Sequence, residues 1–514
     1  MISYSYLVNH IVPGPQSVSY FIPIVLVPLA LAVPPEKLSQ KTIWFTFLPA
    51  IIGFSAHAWW AMGGVDVLSA DLVLWAIFIF GVKDARQDFR RLVRRIPGHK
   101  HYAETTVSRE EKQKSADGSK YKQNGLEYDE VPYPAGLLDR LSWIGALMAS
   151  LRLTDWKVGE PSHDRQQPAR PSGKGHLHFI GVALLRSVIG YLSLDITASY
   201  ILTDPYFHNL DISITAPLPP LDISITPLRI LYTLVPPLLL RVAVIATQAY
   251  ATIAQQYHLP LVILVSAHYF NLIPEAWSPH LWPSYFGHVT SILDNGLAGF
   301  WGTYWHQVMR WVVSGTGPAI ADALGFKRES QTPSPSTSNG IAKSSETGSN
   351  GHANGTANGV AHKSTKSTQP NPEAARTKLI RYAILTLVAF FNSGIVHMGL
   401  VPPQPLHATV SANKLRLLIG LFFWLQPFGI AFEQAAAHLL VRSKIISKGF
   451  GTSGKGQVVR RTANFLWICV WSCVCFPLLG EMARQLGWFR YYSVPFSLVR
   501  WMLGREAVMW PCLR

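Results

Sequence analysis

Nine mostly apolar stretches recur along this chain, and each approaches the roughly 20 residues that a helix needs to cross about 30 Å of hydrocarbon. They lie at residues 17–33, 42–62, 67–82, 177–201, 228–254, 259–274, 379–401, 415–440 and 464–485. A helix satisfies its own backbone hydrogen bonds, which lipid cannot do. Because several stretches are short or contain Pro, the sequence predicts an all-α integral membrane protein, a polytopic bundle of about 8–10 transmembrane helices around an internal chamber.

The charge pattern agrees with membrane insertion. Only 14% of the residues are charged, whereas a soluble domain usually carries about a quarter. The net charge is +16, and its Lys and Arg residues concentrate between apolar stretches, at 83–122 and 442–461, as the positive-inside rule expects of cytoplasmic loops. We therefore expect membrane lipid as a partner and no nucleic acid. Three of the four cysteines lie in one apolar stretch without a second ligand type, so we expect no metal site.

Composition divides the chain into five segments. The segment 327–376 is rich in Ser, Thr, Asn, Gly and Pro, and such a segment buries too little apolar surface to fold by itself. We predict N-terminal transmembrane helices at 1–82, a basic polar cytoplasmic loop at 83–136, a membrane core with an interfacial aromatic motif at 137–326, a disordered loop at 327–376, and a C-terminal transmembrane core at 377–514.

The aromatic motif is the sequence Phe-Trp-Gly-Thr-Tyr-Trp-His-Gln at 300–307. Trp and Tyr favour the membrane interface because their rings are apolar and their N–H or O–H groups still reach water. Composition alone favours an aromatic belt here. The alternative is a re-entrant element that presents His306 to a site within the membrane.

A second polar feature, Asn392-Ser393-Gly394 followed by His397, interrupts the apolar stretch 379–401. An ionisable residue at membrane depth needs a partner or a cavity, and it is a functional candidate by default. The alternative is a histidine that only bonds a neighbouring helix.

Four further charged residues lie within the apolar stretches, namely Asp71, Asp195, Arg241 and Glu433. A charge in lipid is costly unless it faces the interior of the bundle. We therefore expect these four side chains to line an internal polar cavity.

Together the segments Phe-Trp-Gly-Thr-Tyr-Trp-His-Gln at 300–307 and Phe-Asn-Ser-Gly-Ile-Val-His at 391–397 resemble the signature of the wax synthase-like branch of the membrane-bound O-acyltransferases. Looser similarity extends over about 137–485, including Gln426-Pro427-Phe428-Gly429. The long polar insertion resembles that of fungal members, several of which acetylate secondary metabolites.

The resemblance implies an acyl-CoA-dependent enzyme of the endoplasmic reticulum membrane, with acetyl-CoA as co-substrate and no permanently bound cofactor. His397 would be the general base, and His306 would orient the thioester or stabilise its oxyanion. The acceptor would be a hydrophobic alcohol, such as a terpenoid or meroterpenoid. The remaining implied substrate-binding residues are Trp301, Trp305, Gln307, Asn392, Ser393 and Glu433.

Two alternative functions remain at this stage. One is a long-chain acyl-CoA wax alcohol acyltransferase, which the same motifs allow. The other is a membrane transporter without enzymatic activity, which intramembrane charges and Pro-broken spans would suit. Against a transporter, the two halves of the sequence show no inverted repeat, and both motif histidines lie in the second half.

Overall fold

Helices form nearly all of the regular structure in the computed structural model. The described residues are 15–62, 67–94, 121–123, 126–150, 153, 155–158, 175–220, 226–273, 277–279, 282, 284–305, 307–327, 372–445 and 454–509. His306 lies outside them, as do residues 328–371, which make up most of the predicted disordered loop.

Seventeen α-helices occur in the described residues. They are α1 (Pro15–Ala32), α2 (Gln40–Phe45), α3 (Phe47–Met62), α4 (Val67–Ala76), α5 (Ala85–Asp88), α6 (Leu137–Ala149), α7 (His176–Thr203), α8 (Thr226–Leu234), α9 (Pro237–Tyr269), α10 (Thr290–Gly299), α11 (Arg310–Ser314), α12 (Gly317–Ala323), α13 (Pro372–Met398), α14 (Ala412–Trp424), α15 (Gln426–Arg442), α16 (Gly454–Gln485) and α17 (Leu498–Met502). π-Helical turns follow α4 at Ile77–Val82 and α10 at Phe300–Tyr304.

Among the described residues, six helical segments are long and apolar enough to cross a membrane, and two shorter apolar helices accompany them. The six are Gln40–Trp60, His176–Thr203, Pro237–Tyr269, Glu373–Met398, Ala412–Arg442 and Gly454–Gln485, and the shorter two are Val18–Ala32 and Leu68–Val82. On α7 the exposed side chains Leu185, Ile189 and Ile196 share one face, as expected of a surface that meets lipid. These features confirm the predicted all-α polytopic membrane fold.

The boundary predicted between the spans 228–254 and 259–274 is wrong, because α9 runs unbroken from Pro237 to Tyr269. Pro260 lies inside this helix, and transmembrane helices tolerate such a proline where neighbouring groups satisfy the freed carbonyl. Since α9 crosses the bundle once and not twice, its C-terminal end lies at the end of the bundle where α7 begins. The His176 ring, at the start of α7, accordingly lies 5.4 Å from the His268 ring near the end of α9.

The segment predicted as a polar loop at 83–136 contains strands. A four-stranded antiparallel sheet has the order β2-β3-β1-β4, with β1 at Phe89–Arg94, β2 at Tyr121–Gln123, β3 at Leu126–Val131 and β4 at Trp156–Val158. Phe89 and Trp156 point from this sheet into a core shared with Trp75, Phe78 and Trp143. The sheet therefore packs on the N-terminal helices. The sequence did not predict this sheet, because its strands are short and carry several charged residues.

Two of the four intramembrane charges hold loops. Arg241 on α9 forms a buried ion pair with Asp204 at 2.8 Å and donates to the carbonyl oxygens of Ile214 and Ala216. Asp195 on α7 accepts hydrogen bonds from the Ser497 hydroxyl and from the backbone N–H at the start of α17. Both side chains thus have partners within the protein, and their predicted place in an internal polar cavity stays a prediction.

Candidate active site

The aromatic motif lies at the turn of a hairpin formed by residues 284–327, which we call the aromatic hairpin. Its approach and return are paired through backbone hydrogen bonds from Gly287 N–H to the Tyr304 carbonyl at 2.8 Å and from Gln307 N–H to the Tyr285 carbonyl at 3.0 Å. A Cβ atom at Gly287 would lie 1.9 Å from the Thr303 carbonyl oxygen. The pairing therefore requires glycine at this position.

Both ends of the aromatic hairpin lie at the same end of the bundle. Asp294 on α10 forms ion pairs with Arg460 and Arg461 at 3.2 and 2.8 Å, and these arginines lie about 9 Å along α16 from its start. On the return, Asp322 of α12 pairs with Arg381 in the first half of α13. Both α13 and α16 begin at this end, so the hairpin enters and leaves on one side.

The tip of the aromatic hairpin reaches deep between the C-terminal helices. The Trp301 ring makes edge contacts with Phe390 of α13 at 5.5 Å and with Phe423 of α14 at 6.1 Å between ring centroids. Trp471, which is bonded at the same level, lies about 26 Å along α16 from its start. The hairpin thus enters and leaves the helix bundle at one end, which is the geometry that the re-entrant interpretation of the sequence expects.

One buried amide joins the tip to two helices. The Gln426 side-chain oxygen accepts hydrogen bonds from the indole N–H groups of Trp301 and Trp471, both at 3.1 Å. Its amide nitrogen donates to the Phe422 carbonyl at 2.6 Å. Since Gln426 is 2% exposed, these bonds replace water entirely and hold the Trp301 ring in one orientation.

His397 lies in the last turn of α13, with its ring against Phe423 at 4.2 Å between centroids. Its Nδ1 atom bonds the Ser393 carbonyl oxygen at 2.7 Å. A carbonyl can only accept, so Nδ1 carries the proton. The neutral ring then presents Nε2 as a lone pair, which is the state that a general base requires.

Trp301 and His397 share a neighbour. Both rings contact Phe423, one at 6.1 Å and the other at 4.2 Å. The fold therefore brings the aromatic motif and the helix of His397 into one cluster, although the chain between them is long. His306, the other predicted catalytic histidine, lies outside the described residues.

The predicted supporting residues divide into two groups. Ser393 serves His397 through its backbone carbonyl. Asn392 instead donates from its side-chain amide to the Val313 carbonyl at 2.9 Å, on α11 of the hairpin. It fixes the return of the hairpin and makes no bond to His397.

Trp305 and Gln307 lie beside the tip. Trp305 stacks on Phe300 at 5.4 Å and contacts Phe286 at 5.5 Å between ring centroids. The Gln307 side chain is 5% exposed and donates to the Trp305 carbonyl at 3.0 Å. Gln307 is thus joined to Trp305 both along the chain and through its side chain.

Glu433, on α15, supports the aromatic hairpin at α10. Its carboxylate accepts a hydrogen bond from the Leu297 backbone N–H at 2.9 Å. The preceding residue, Gly296, has φ +57° and ψ −138° and breaks the helical path of α10. A Cβ atom there would lie 1.4 Å from the Glu433 carboxylate, so glycine permits the close approach.

Tyrosine hydroxyls line the outer side of the hairpin, beside α9. Tyr304 and Tyr285 both contact the Phe286 ring, at 5.5 and 5.1 Å between centroids. A phenol ordinarily has a pKa of about 10, so both hydroxyls are neutral at pH 7 and can donate hydrogen bonds to an acceptor atom.

Sequence reasoning missed Phe423 and Trp471. Neither carries a motif, and an aromatic residue in an apolar helix gives no signal of its own. A cavity of about 330 Å³ lies elsewhere, near the far end of α16, where Tyr206, Ile212 and Arg484 are among its lining residues. It contains none of the predicted site residues, so we give the geometry around His397 greater weight.

Comparison with known proteins bears on this same hairpin. The family model described as the membrane bound O-acyl transferase family matches residues 282–338. No curated protein and no solved structure gives a significant match. The matched residues include the approach, the tip and the return of the aromatic hairpin. The match supports the membrane-bound O-acyltransferase family for this chain.

Proposed function

We propose that this protein is a membrane-embedded O-acyltransferase that transfers an acetyl group from acetyl-CoA to a hydroxyl of a hydrophobic secondary metabolite such as a terpenoid. One observation carries the proposal: His397 bonds the Ser393 carbonyl through Nδ1, which selects the tautomer in which the neutral ring offers its Nε2 lone pair, and its ring packs against Phe423 beside the tip of the aromatic hairpin. The family match over that hairpin supports the reaction class. The acetyl donor and the acceptor class rest on the motif resemblance.

In the proposed reaction, Nε2 of His397 removes the proton from the acceptor hydroxyl as its oxygen attacks the thioester carbonyl. The new C–O bond forms and the C–S bond breaks, and the departing CoA sulfur receives the proton from His397. General base assistance of this kind is typically worth about 10²- to 10⁴-fold in rate. His306 is our second proposed catalytic residue, a hydrogen-bond donor to the developing oxyanion.

Several neighbours of the site support this chemistry. Trp301, held by Gln426, packs against Phe390 and Phe423 and excludes water from the side of the site near His397. Excluding water protects the thioester from hydrolysis and strengthens polar interactions with the transition state. We propose that Trp301, Trp305 and Gln307 contact the substrates, and that Asn392, Ser393 and Glu433 position the elements around them.

The test is acyl transfer by the full chain in membranes, with labelled acetyl-CoA and a panel of hydrophobic alcohols. We expect His397→Ala to lower kcat by about 10²- to 10⁴-fold. His258→Ala is the matched control, because His258 on α9 also bonds a carbonyl one turn back through Nδ1, at 2.7 Å. It should lose no more than its effect on protein stability explains.

Two results would oppose the proposal. Full activity of His397→Ala would remove the general base, and the absence of ester from every alcohol would remove the reaction. Replacing acetyl-CoA by long-chain acyl-CoA distinguishes the wax alcohol acyltransferase alternative. A long-chain donor that gives the higher kcat/KM would favour that alternative over acetyl transfer.

A further inference from the structure

Arg416 is a buried cation without a counter-ion in the described part of the chain. It lies in the second turn of α14 and is 6% exposed. The other buried arginines of the described residues, Arg86, Arg241 and Arg484, each pair with a carboxylate at 2.7–2.8 Å. A buried charge is strongly unfavourable when it is unpaired. Arg416 therefore differs from arginines that serve structure alone.

The surroundings of Arg416 leave its donors largely unused. Its guanidinium lies over the rings of Trp60 and Trp59, 4.6 and 5.4 Å from their centroids. It has two long hydrogen bonds of 3.4 Å, from one terminal nitrogen to the carbonyl oxygens of Trp60 and Val401. Its Nε atom is buried and has no partner, and the same is true of the Trp59 indole nitrogen. Two N–H donors thus lie together without an acceptor.

Arg416 is close to the proposed catalytic base. Val401, which accepts one of its bonds, follows the end of α13 that carries His397. Arg416 and Phe423 lie two helical turns apart on one face of α14, a separation of about 10 Å. Because the Phe423 ring contacts the His397 ring, Arg416 lies about two helical turns along α14 from the level of the proposed catalytic base.

The charge and shape of this group favour a carboxylate. A planar guanidinium matches the two oxygens of a carboxylate, and one positive charge balances one negative charge. A phosphate monoester carries about two negative charges at pH 7 and would remain half unbalanced here. The indole rings provide apolar walls for the carbon skeleton next to the carboxylate.

We propose that Arg416, with the Trp59 indole N–H, binds a carboxylate of the acceptor whose hydroxyl His397 activates about two helical turns further along α14. The preferred acceptor is then an apolar hydroxy acid. This inference rests on the proposed function and names the acceptor class of that site.

The experiment uses the full chain in phosphatidylcholine vesicles with acetyl-CoA. Hydroxy acids of graded length are compared with their methyl esters, which keep the hydroxyl and the skeleton but lose the charge. For the acid whose two groups are best separated, Arg416→Gln should raise KM by about 10- to 100-fold, the loss of one charged hydrogen bond. For its methyl ester, KM should change less than threefold, and kcat should be retained for both. Arg416→Lys should restore part of the loss.

Lys414→Gln is the matched control, since it removes the same charge from an exposed position on α14. It should leave the ratio of acid to ester KM unchanged. Asp66 lies outside the described residues, six positions after Trp60, and Asp66→Asn should also preserve the ratio. If Asp66→Asn instead lowers the KM of the acid well below its wild-type value and leaves that of the ester unchanged, Asp66 occupies the guanidinium in the wild type and the inference is wrong.

Three further outcomes test the carboxylate site and the proposed function. Equal KM values for acid and ester in the wild type overturn the carboxylate site, while ester formation by itself still supports the acyltransferase. If added phosphatidylglycerol changes the activity of wild type but not of Arg416→Gln with every acceptor, the occupant is a lipid headgroup and the inference fails. The absence of product from all acceptors would instead oppose the proposed function.

Discussion

Gly296→Ala should weaken the contact through which Glu433 supports the aromatic hairpin. The new Cβ atom would lie 1.4 Å from the Glu433 carboxylate, so this side chain must withdraw. Its hydrogen bond to the Leu297 N–H is then lost, at about 1.5–3 kcal/mol. The backbone at φ +57° and ψ −138° adds about 1–3 kcal/mol for a residue with a side chain. The expected total is about 2.5–6 kcal/mol.

The measurement is the free energy of unfolding of the detergent-solubilised protein, with Gly302→Ala as the matched control. Gly302 lies in the same hairpin, and a Cβ atom there would meet nothing within 4 Å. We expect a change below about 1 kcal/mol for this control. Acyltransferase activity should fall in Gly296→Ala as the tip loses its position.

A double-mutant cycle isolates the carboxylate. Glu433→Ala also loses the hydrogen bond to the Leu297 N–H. Each single variant therefore lacks this bond, whereas the double variant can lose it only once. The double variant should therefore be less destabilised than the sum of the single variants, by about 1.5–3 kcal/mol. Strict additivity, or a Gly296→Ala effect equal to that of Gly302→Ala, would refute the reasoning.

Two further predictions concern the contacts of the hairpin. Gln426→Leu leaves the indole N–H groups of Trp301 and Trp471 without their acceptor, and it should cost about 2–6 kcal/mol in unfolding free energy; a loss under 1 kcal/mol would contradict this. The hydrogen bond from Arg461 lowers the pKa of Asp294, so its stabilisation is present above the ordinary carboxyl pKa and disappears as pH falls through the lowered value. Asp294→Asn should thus lower Tm by a constant amount between about pH 5 and 8 and by less below about pH 4; a gap that widens in acid would exclude this ion pair as the cause.

The sequence predicts the spans well because burial in lipid imposes a simple compositional rule. It fails at 228–274, where Pro260 looks like a boundary and lies inside one helix. Proline removes one backbone donor, but packing against α7, for example around Ala183 and Leu261, decides whether the helix continues. Such contacts join residues that are distant in the chain, and no local pattern reports them.

The candidate site shows the same limit on a smaller scale. Asn392 and Ser393 look equivalent as partners of His397 in the sequence. Ser393 precedes His397 by four residues and shares its face of α13, whereas a separation of five turns Asn392 about 140° away. Asn392 accordingly bonds Val313. Helical spacing could have made this distinction, but the role of Phe423 depended on the packing of α14 against α13.

The re-entrant path of the aromatic hairpin has a consequence for biogenesis. Its tip is held by Phe390, Phe423 and Gln426, and all three follow the hairpin in the order of synthesis. The indole N–H of Trp301 therefore has no such acceptor while the nascent chain emerges, and the hairpin cannot be inserted in final form as an ordinary span is. The last helices made complete the site, so a ribosome that stops before α15 releases a chain whose aromatic tip is still unanchored.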